Sequence, residues 1–226
     1  MKIDLIVFDI AGTTLNDKGF IVAESFTNAL KKNGFDFTKE EINSVMGYRK
    51  IEAITMMLNS HNVDASPTLI EIIHNDFLEN INCYYEENNI QEVDGASVTF
   101  RHLKNKGVKI ALDTGFSRST TDIIINKLGW GSENLIDTSV TSDEVPEGRP
   151  APFMIEAIKR ELGINSSMTV AKVGDTPSDL MEGNNANCAL NIGVLYGTHT
   201  RQQLEKHPHT HLIEHISEIT DLVEGN

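Results

Sequence analysis

Short apolar runs separated by longer amphipathic stretches make up most of the chain. Apolar runs of about four to eight residues that end at polar or glycine residues are typical of buried β-strands. Four such runs occur at residues 5–8, 108–112, 168–173 and 189–194, and a weaker one lies at residues 135–140. Stretches of helical periodicity alternate with them at residues 96–105, 119–128, 152–162 and 178–186. This alternation predicts an α/β fold with a doubly wound parallel sheet.

The stretch between the first strand and residue 91 has helical periodicity throughout. Its apolar residues recur near the i, i+3 and i+4 spacing of an amphipathic helix. They form three groups: Phe26, Ala29, Leu30 and Phe35; Ile51, Ile54, Met57 and Leu58; and Leu69, Ile72, Ile73, Phe77, Leu78 and Ile81. Because this block interrupts the alternation of strands and helices, we predict an all-helical cap inserted at residues 17–91. The core would consist of residues 1–16 and 92–226, with the cap over its strand ends.

Composition narrows the classes of function. The 226 residues carry a formal net charge of −14, which argues against a nucleic-acid partner because phosphate backbones demand basic patches. A phosphoryl substrate would have to be captured by a few local cations or by a metal. The two cysteines, Cys83 and Cys188, lie far apart, which predicts a reduced, cytoplasmic protein. The N-terminal apolar run is broken by Asp4 and Asp9, unlike a signal peptide, and no run is long enough to span a membrane.

Five histidines are concentrated near the C-terminus. They are His199, His207, His209, His211 and His215. They show no recognisable metal-ligand spacing on one helical face, so we predict that they are surface residues.

Asp9 ends the first predicted strand and is followed by Gly12, Thr13 and Thr14. In open parallel sheets, functional residues are concentrated at the carboxyl ends of the strands. Asp9 is therefore in a position to take part in a reaction, and the two threonines are in a position to bind an anionic group nearby. The alternative is an ordinary polar strand end that opens a loop.

Asp175 and Asp179 follow the fourth strand at a loop-to-helix junction. If they cluster with Asp9, the three carboxylates form an oxygen-rich site that suits Mg²⁺. The alternative is helix capping, for which Ser178 or Asp179 would serve.

Arg149 lies just before a predicted helix, in a loop stiffened by Pro150 and Pro152. A guanidinium group matches the geometry of phosphoryl oxygens. An arginine in such a loop is more commonly solvated, and both interpretations stay open at this point.

These motifs, in this order and spacing, resemble the haloacid dehalogenase superfamily, and in particular its phosphonatase branch. The similar segments are Asp9–Thr13, Thr114–Arg118, Val140–Pro150 and Val173–Asp179. The branch has Asp-x-Ala-Gly-Thr in the first motif and an arginine where most of the superfamily has lysine. The resemblance covers nearly the whole chain and implies a Rossmann-like core with a helical cap.

The resemblance also implies a set of roles for the core residues. Asp9 would be the nucleophile that forms an aspartyl-phosphate. Mg²⁺ would bind Asp9, the backbone carbonyl of Ala11 and Asp175, where it offsets the repulsion between two anionic groups. The other implied roles are hydrogen bonding to a phosphoryl oxygen by Thr114, positive charge near Asp9 from Arg149, support of the metal shell by Asp179 and Ser178, and substrate binding by Thr13 and Gly115.

Ala11 separates this chain from typical phosphatases of the superfamily. Those enzymes have an aspartate at this position, which protonates the leaving oxygen, and an alanine cannot transfer a proton. The phosphonatase branch instead uses a cap lysine that forms a Schiff base with the substrate aldehyde. The segment Met46-Gly47-Tyr48-Arg49-Lys50 resembles the branch's lysine motif, which implies Lys50 as the Schiff-base residue and Met46 as a substrate contact.

The alternative for Lys50 is a solvated side chain, which is the most common state of a lysine at the start of a helix. Three other positions depart from the branch pattern. Ala53 stands where the branch has a cap histidine, Phe116 where it has a tyrosine, and Gly19 where it has a cysteine. These positions shape the pocket and its proton relay, so the departures bear on the identity of the substrate more than on the general chemistry.

The resemblance therefore predicts a Mg²⁺-dependent hydrolase that cleaves the C–P bond of phosphonoacetaldehyde or a related small carbonyl phosphonate. The main alternative is a phosphomonoester phosphatase acting on a small metabolite. A phosphomutase would need a carboxylate in place of Ala11, and a haloacid dehalogenase would not need the pair of Asp175 and Asp179. A non-catalytic binding module would not need to retain Asp9. The family resemblance also suggests a homodimer through the cap.

Overall fold

Six strands form one parallel sheet in the computed structural model, which describes residues 2–17 and 20–224. The strands are β1 (Leu5–Asp9), β2 (Lys109–Thr114), β3 (Thr138–Thr141), β4 (Val170–Gly174), β5 (Leu190–Val194) and β6 (His211–Ile213). Their order across the sheet is β3-β2-β1-β4-β5-β6. The predicted α/β class and the parallel, doubly wound sheet are confirmed.

The register of the central strands brings their polar ends together. In β1, Asp9 lies opposite Asp113 of β2, and Phe8 lies opposite Val173 of β4. Because the strands are parallel, Asp9, Thr114 and Asp175 all reach the same edge of the sheet.

Apolar side chains of β1 alternate between the two faces of the sheet. Leu5 and Val7 pack in a cluster with the helix α7 (Phe153–Leu162), whereas Ile6 and Phe8 pack in a cluster with α5 (Ala96–Asn105). Continuous burial on both faces explains why β1 reads as an unbroken apolar run. The remaining helices outside the predicted cap are α6 (Arg118–Leu128), α8 (Pro177–Asn185), α9 (Arg201–Leu204) and α10 (Glu218–Glu224), with a 3₁₀ turn at Ser167–Thr169.

Four helices follow β1 in succession. They are α1 (Ile21–Lys32), α2 (Lys39–Ser44), α3 (Lys50–Ser60) and α4 (Pro67–Glu87). The long helix α4 packs against α1 and α3, and on its other side against α6. The rings of Phe26 and Phe77 meet edge-on with centroids 6.0 Å apart. The division into a core and a cap at residues 17–91 stays a prediction.

Several sequence-based predictions are wrong in detail. Met168 and Thr169 belong to the 3₁₀ turn, and β3 begins at Thr138 rather than at Leu135. The strand β6 was missed, because three residues are too few to give a period-2 pattern.

Individual burial predictions also need correction. Ile51 and Ile72 were assigned to buried helix faces, but both are exposed. His199 was predicted at the surface, but it is buried, whereas His207, His209, His211 and His215 are half-buried or exposed. Among the described residues, no helix is both long and apolar enough to cross a bilayer.

The ring of Phe100 connects α5 to the sheet. It is fully buried, 5.0 Å from the ring of Phe8 and 5.7 Å from that of Trp130. We expect Phe100→Ala to lower the free energy of unfolding by about 3–5 kcal/mol in urea denaturation, because it leaves a cavity beside β1. The control Val98→Ala changes an exposed residue of the same helix and should stay within about 0.5 kcal/mol of wild type. Equal effects of the two substitutions would contradict this packing.

Candidate functional site

A small cavity lies at the carboxyl edge of the sheet, beneath the helices that follow β1. Its volume is about 40 Å³, enough for one or two waters. Asp9 and Asp175 line it from the sheet, and Met46 and Lys50 line it from the helical side. Other described lining residues include Ala11, Asp17, Phe20, Gly47, Thr114, Gly115, Phe116, Arg149, Thr176 and Thr198.

The guanidinium group of Arg149 is fully buried and surrounded by protein acceptors. Its Nη1 donates to Asp9 Oδ1 at 2.8 Å and lies 2.9 Å from Asp179 Oδ1. Its Nε donates to Glu182 Oε2 at 3.0 Å, and its Nη2 donates to the carbonyl and carboxylate of Asp113 at 2.8 and 2.5 Å. The interpretation of Arg149 as a solvated loop residue is therefore wrong. Its donors are directed at protein carboxylates, so it orients Asp9 rather than presenting a free fork to a ligand.

Lys172 is a second buried cation, behind Arg149. Its ammonium group contacts Asp113, lies 3.1 Å from Asp179 Oδ1, and lies 3.3 Å from Glu182 Oε2. The charges of these carboxylates raise the pKa of Lys172 against the opposing effect of burial. The lysine therefore stays charged inside the protein.

The carboxylates at the sheet edge outnumber the cations that face them. Burial is the main cause that raises the pKa of Asp9 to about 7; the charge of Arg149 opposes it, and those of Asp179 and Asp175 reinforce it. Burial, followed by the charge of Asp179, raises the pKa of Asp175 to about 6. Concentrated negative charge of this kind favours the binding of a cation.

Asp9, Asp175 and Asp179 each place one carboxylate oxygen within 4.8 Å of the others. Such a cluster of hard oxygen donors fits a divalent ion such as Mg²⁺. Asp175 is held in place by Thr13 Oγ1, which donates to its Oδ1 at 3.3 Å, and by the backbone N–H of Thr198, which donates to its Oδ2 at 2.6 Å. The alternative of helix capping is also correct for Asp179, which forms a capping box with Thr176 at the start of α8.

Lys50 begins α3 and is buried, not solvated. Its Nζ lies 5.9 and 5.7 Å from the ring centroids of Phe26 and Phe77, and it donates to the carbonyl of Tyr48 at 3.5 Å. The pKa of Lys50 is lowered to about 8, chiefly by burial; the charge of Asp9 opposes this shift and the charge of Arg149 reinforces it. About a tenth of this amine is neutral at pH 7, and the neutral form is the one that nucleophilic attack requires.

Glycines allow the segment before α3 to approach the sheet edge closely. A Cβ at Gly47 would overlap the hydroxyls of Ser178 and Thr176, and one at Gly115 would lie 2.7 Å from the carbonyl of Tyr48. Gly47 also has φ +83°, a conformation that side chains disfavour. These contacts bring Lys50 over the end of β1.

The structure brings most of the sequence-predicted site residues together. Ala11, Met46, Thr114 and Gly115 line the cavity, and Thr114 Oγ1 accepts from the N–H of Phe116 at 3.2 Å. Thr13 is buried behind the cavity, where its hydroxyl faces Asp175 instead of a ligand. Ser178 is buried, with its hydroxyl 2.9 Å from that of Thr176. Ala53 is buried and Phe116 lines the cavity, whereas Gly19 lies outside the described residues.

Four charged residues of this region were not predicted from the sequence: Asp17, Asp113, Lys172 and Glu182. The burial of Lys172 could have been predicted, because a lysine inside an apolar strand that is covered on both faces must have a buried partner. The same reasoning applies to Asp113, which lies at the end of the apolar strand β2. Glu182 and Asp17 lie in a helix and a loop, where acidic residues are common on surfaces.

We expect Lys172→Met to lower the free energy of unfolding by roughly 3 kcal/mol or more, because it leaves buried carboxylates without their cation. Urea denaturation measures this loss. Lys109→Met on β2 is the matched control, because Lys109 is exposed and its pairing with Asp137 contributes at most about 1 kcal/mol. A Lys172→Met protein as stable as the control would show that the buried cluster does not need this cation.

The chain is similar in sequence to a family of hydrolases. Residues 6–192 match the family model described as haloacid dehalogenase-like hydrolase. The chain is 31% identical over 211 residues to the phosphonoacetaldehyde hydrolase of Bacillus cereus strain B4264, covering 88% of this chain and 78% of that protein.

Two solved structures share the fold. A phosphonoacetaldehyde hydrolase-like protein from Oleispira antarctica aligns with a TM-score of 0.85 at 21% identity, covering 100% of this chain and 96% of that one. A putative phosphoglycolate phosphatase from Lactobacillus delbrueckii subsp. bulgaricus aligns with a TM-score of 0.80 at 20% identity, covering 100% of both chains.

Proposed function

Because the chain belongs to the haloacid dehalogenase-like hydrolase family and is homologous to phosphonoacetaldehyde hydrolase, we propose that it cleaves the C–P bond of a small carbonyl phosphonate. Phosphonoacetaldehyde or a close analogue is the substrate that we infer. The observation that carries the proposal is the burial of Lys50, with a pKa lowered to about 8, in the same cavity as Asp9. A phosphatase whose reaction uses only the core residues would not require a buried amine of this kind.

In this proposal Asp9 is the nucleophile. Its carboxylate forms a bond to phosphorus as the C–P bond breaks, which gives an aspartyl-phosphate that water then hydrolyses. Arg149 keeps Asp9 oriented through the 2.8 Å contact to Oδ1. Thr114 and Gly115 line the cavity beside Asp9, where they are placed to contact the phosphoryl group.

Mg²⁺ is the cofactor that we propose, held by Asp9, the carbonyl of Ala11 and Asp175. Bound there, it would neutralise charge between the nucleophile and the phosphoryl group. The residues present fit this group, because carboxylate oxygens of Asp9, Asp175 and Asp179 converge. Asp179 is already engaged by Arg149 and Thr176, so its role is to support the site.

Lys50 supplies the electron sink. Its neutral amine condenses with the substrate carbonyl to an iminium, and the electron pair of the breaking C–P bond moves into that iminium to give an enamine. A bare carbanion would be a poor leaving group, so the reaction depends on this step. The small cavity favours a substrate of few carbon atoms, and it must widen before the substrate enters.

A phosphomonoester phosphatase is the second candidate. Ala53 and Phe116 leave the surroundings of Lys50 without a histidine or a tyrosine hydroxyl at those positions, and a putative phosphoglycolate phosphatase shares the fold. A phosphatase would have to release its leaving group without an acid at Ala11. The behaviour of Lys50 discriminates between the two functions.

Two wider expectations accompany the proposal. Cys83 and Cys188 are free thiols, which suits a reducing compartment such as the cytoplasm. Ile51, Met56 and Ile72 are exposed on α3 and α4, apolar surface that would suit the homodimer through the cap.

We expect Asp9→Asn to reduce turnover by at least about 10³-fold, because an amide is a poor nucleophile of nearly the same size. Release of phosphate measures the rate, and circular dichroism checks the fold. Asp4→Asn, just before β1 and partly exposed, should leave the rate unchanged. An Asp9→Asn enzyme with near-wild-type turnover would exclude the proposed nucleophile.

We expect borohydride to trap wild-type enzyme with phosphonoacetaldehyde as a reduced adduct on Lys50, detected by peptide mass spectrometry. Below about pH 6 the rate of trapping should increase with pH, because the neutral amine is the reactive form and the pKa of Lys50 is about 8. Lys50→Arg should abolish trapping and C–P cleavage, while p-nitrophenyl phosphate hydrolysis, which needs only the core, continues.

The exposed Lys39→Arg is the matched control and should behave as wild type. If wild type forms no adduct, or if Lys50→Arg cleaves the phosphonate normally, the phosphatase function replaces the one proposed.

A further inference from the structure

Asp17 is an acid without an assigned role in the cavity of Lys50. The described titratable residues that line this cavity are Asp9, Asp17, Lys50, Arg149 and Asp175. Under the proposed function, all of them except Asp17 have a task. The cycle of imine formation and hydrolysis still needs a group that gives and takes a proton.

The backbone holds the carboxyl group of Asp17 in place. Its Oδ1 accepts from the N–H of Ile21 at 2.8 Å, at the start of α1, and its carbonyl accepts from the N–H of Phe20 at 2.8 Å. Asparagine or serine would cap this helix as well, so capping alone does not call for an acid. Asp17 also lines an adjoining cavity of about 870 Å³, from which it can exchange protons with water.

The charges around Asp17 suit proton transfer near neutral pH. Burial raises its pKa to about 6, and the charge of Lys50 on α3 opposes that rise. The other titratable groups that interact with this region are Asp9 at the end of β1 and, on α4, His74 and Tyr85. Burial chiefly lowers the pKa of His74, and the charge of Lys50 lowers it as well. The buried hydroxyl of Tyr85 has no hydrogen-bond partner among the described residues. The pKa of Tyr85 is raised well above its ordinary value, chiefly by burial, so this hydroxyl stays neutral.

Other candidates for the proton transfer are weaker. Ala11 and Ala53 carry no ionisable group, and Phe116 carries no hydroxyl. Arg149 keeps its proton, and its donors are directed at carboxylates. Asp17 is therefore the described acid that lines the cavity and has no competing task.

We propose that Asp17 is the general acid–base for the imine cycle of Lys50. This inference rests on the proposed function. When the Lys50 nitrogen bonds to the substrate carbonyl carbon, the carbonyl oxygen leaves as water with two protons. One proton comes from the amine and the other from the Asp17 carboxyl group, which leaves an iminium and a carboxylate. After the C–P bond has broken, the enamine carbon takes a proton from water, and hydrolysis of the aspartyl-phosphate by a second water returns that proton to the solvent. Water then adds to the product iminium, and Asp17 takes a proton back as the aldehyde and the neutral amine separate.

Asp17→Asn tests this role, because the amide retains an acceptor for the N–H of Ile21 but cannot donate an acidic proton. We expect it to lower kcat/KM for phosphonoacetaldehyde cleavage by about 10²-fold or more and to slow borohydride trapping on Lys50 similarly. Hydrolysis of p-nitrophenyl phosphate should remain within about twofold of wild type. Asp76→Asn is the matched control, because Asp76 is an acid of α4 that pairs with Lys32 and Asn33 and does not line the cavity.

The pH dependence separates catalysis from a structural role. The acid form of Asp17 is lost as pH rises through its pKa, so the ratio of wild-type to Asp17→Asn kcat/KM should fall about tenfold per pH unit above about pH 6. Asp9 titrates in both enzymes. Loss of the Asp17 charge lowers the pKa of Lys50 in the variant, so an NMR titration of Lys50 in both enzymes is used to correct the ratio. A ratio that stays constant with pH would overturn the proposal.

The remaining outcomes are also decisive. If wild type cleaves the phosphonate and forms the adduct but Asp17→Asn matches it, the inference on Asp17 fails and the proposed function stands. If wild type forms no adduct, both fail. Should Asp17→Asn lose its fold, Asp17→Ser retains a capping oxygen and replaces it. Loss of phosphate-ester hydrolysis in both variants would show that Asp17 is structural and would overturn its catalytic role.

Discussion

The buried guanidinium of Arg149 is the interaction on which the candidate site depends. It joins the end of β1 to the end of β2 and to α8, through contacts of 2.5–3.0 Å with Asp9, Asp113 and Glu182. A buried ion of this kind is tolerated only when its donors are satisfied, and here carboxylates surround it. The contact to Asp9 leaves that residue at the cavity wall in a fixed orientation, which a nucleophile requires.

The same cluster has more carboxylates than cations. Arg149 and Lys172 contact four buried acids, namely Asp9, Asp113, Asp179 and Glu182, and a fifth, Asp175, lies beside Asp9 and Asp179. Burial chiefly raises the pKa values of Asp9 and Asp175, and the neighbouring carboxylates reinforce the rise, which another cation would oppose. Under the proposed function, a divalent ion at the sheet edge and the iminium on Lys50 would supply that charge.

The fold was more predictable from the sequence than the details of the site. Continuous apolar runs gave the class and the parallel sheet, because buried strands of such sheets need apolar residues on both faces. The strand-end positions of Asp9 and Asp175 indicated one edge of the sheet for the same topological reason, whereas Thr114 was implied by the family resemblance. The resemblance implied that Arg149 lies near Asp9, but its partners on β2 and α8 were not predictable, because only tertiary packing brings these elements together. The burial of Lys50 depends likewise on Phe26 and Phe77 from two other helices.

The central claim is that the converging carboxylates form a site for one divalent cation beside the nucleophile. Isothermal titration of the enzyme with Mg²⁺ alone, in the absence of substrate, tests it most directly. The account predicts saturation at one ion per chain, and loss of that binding in Asp175→Asn, whose amide removes a charge from the cluster. Absence of Mg²⁺ binding by wild type, or binding that is unchanged in Asp175→Asn, would contradict the account.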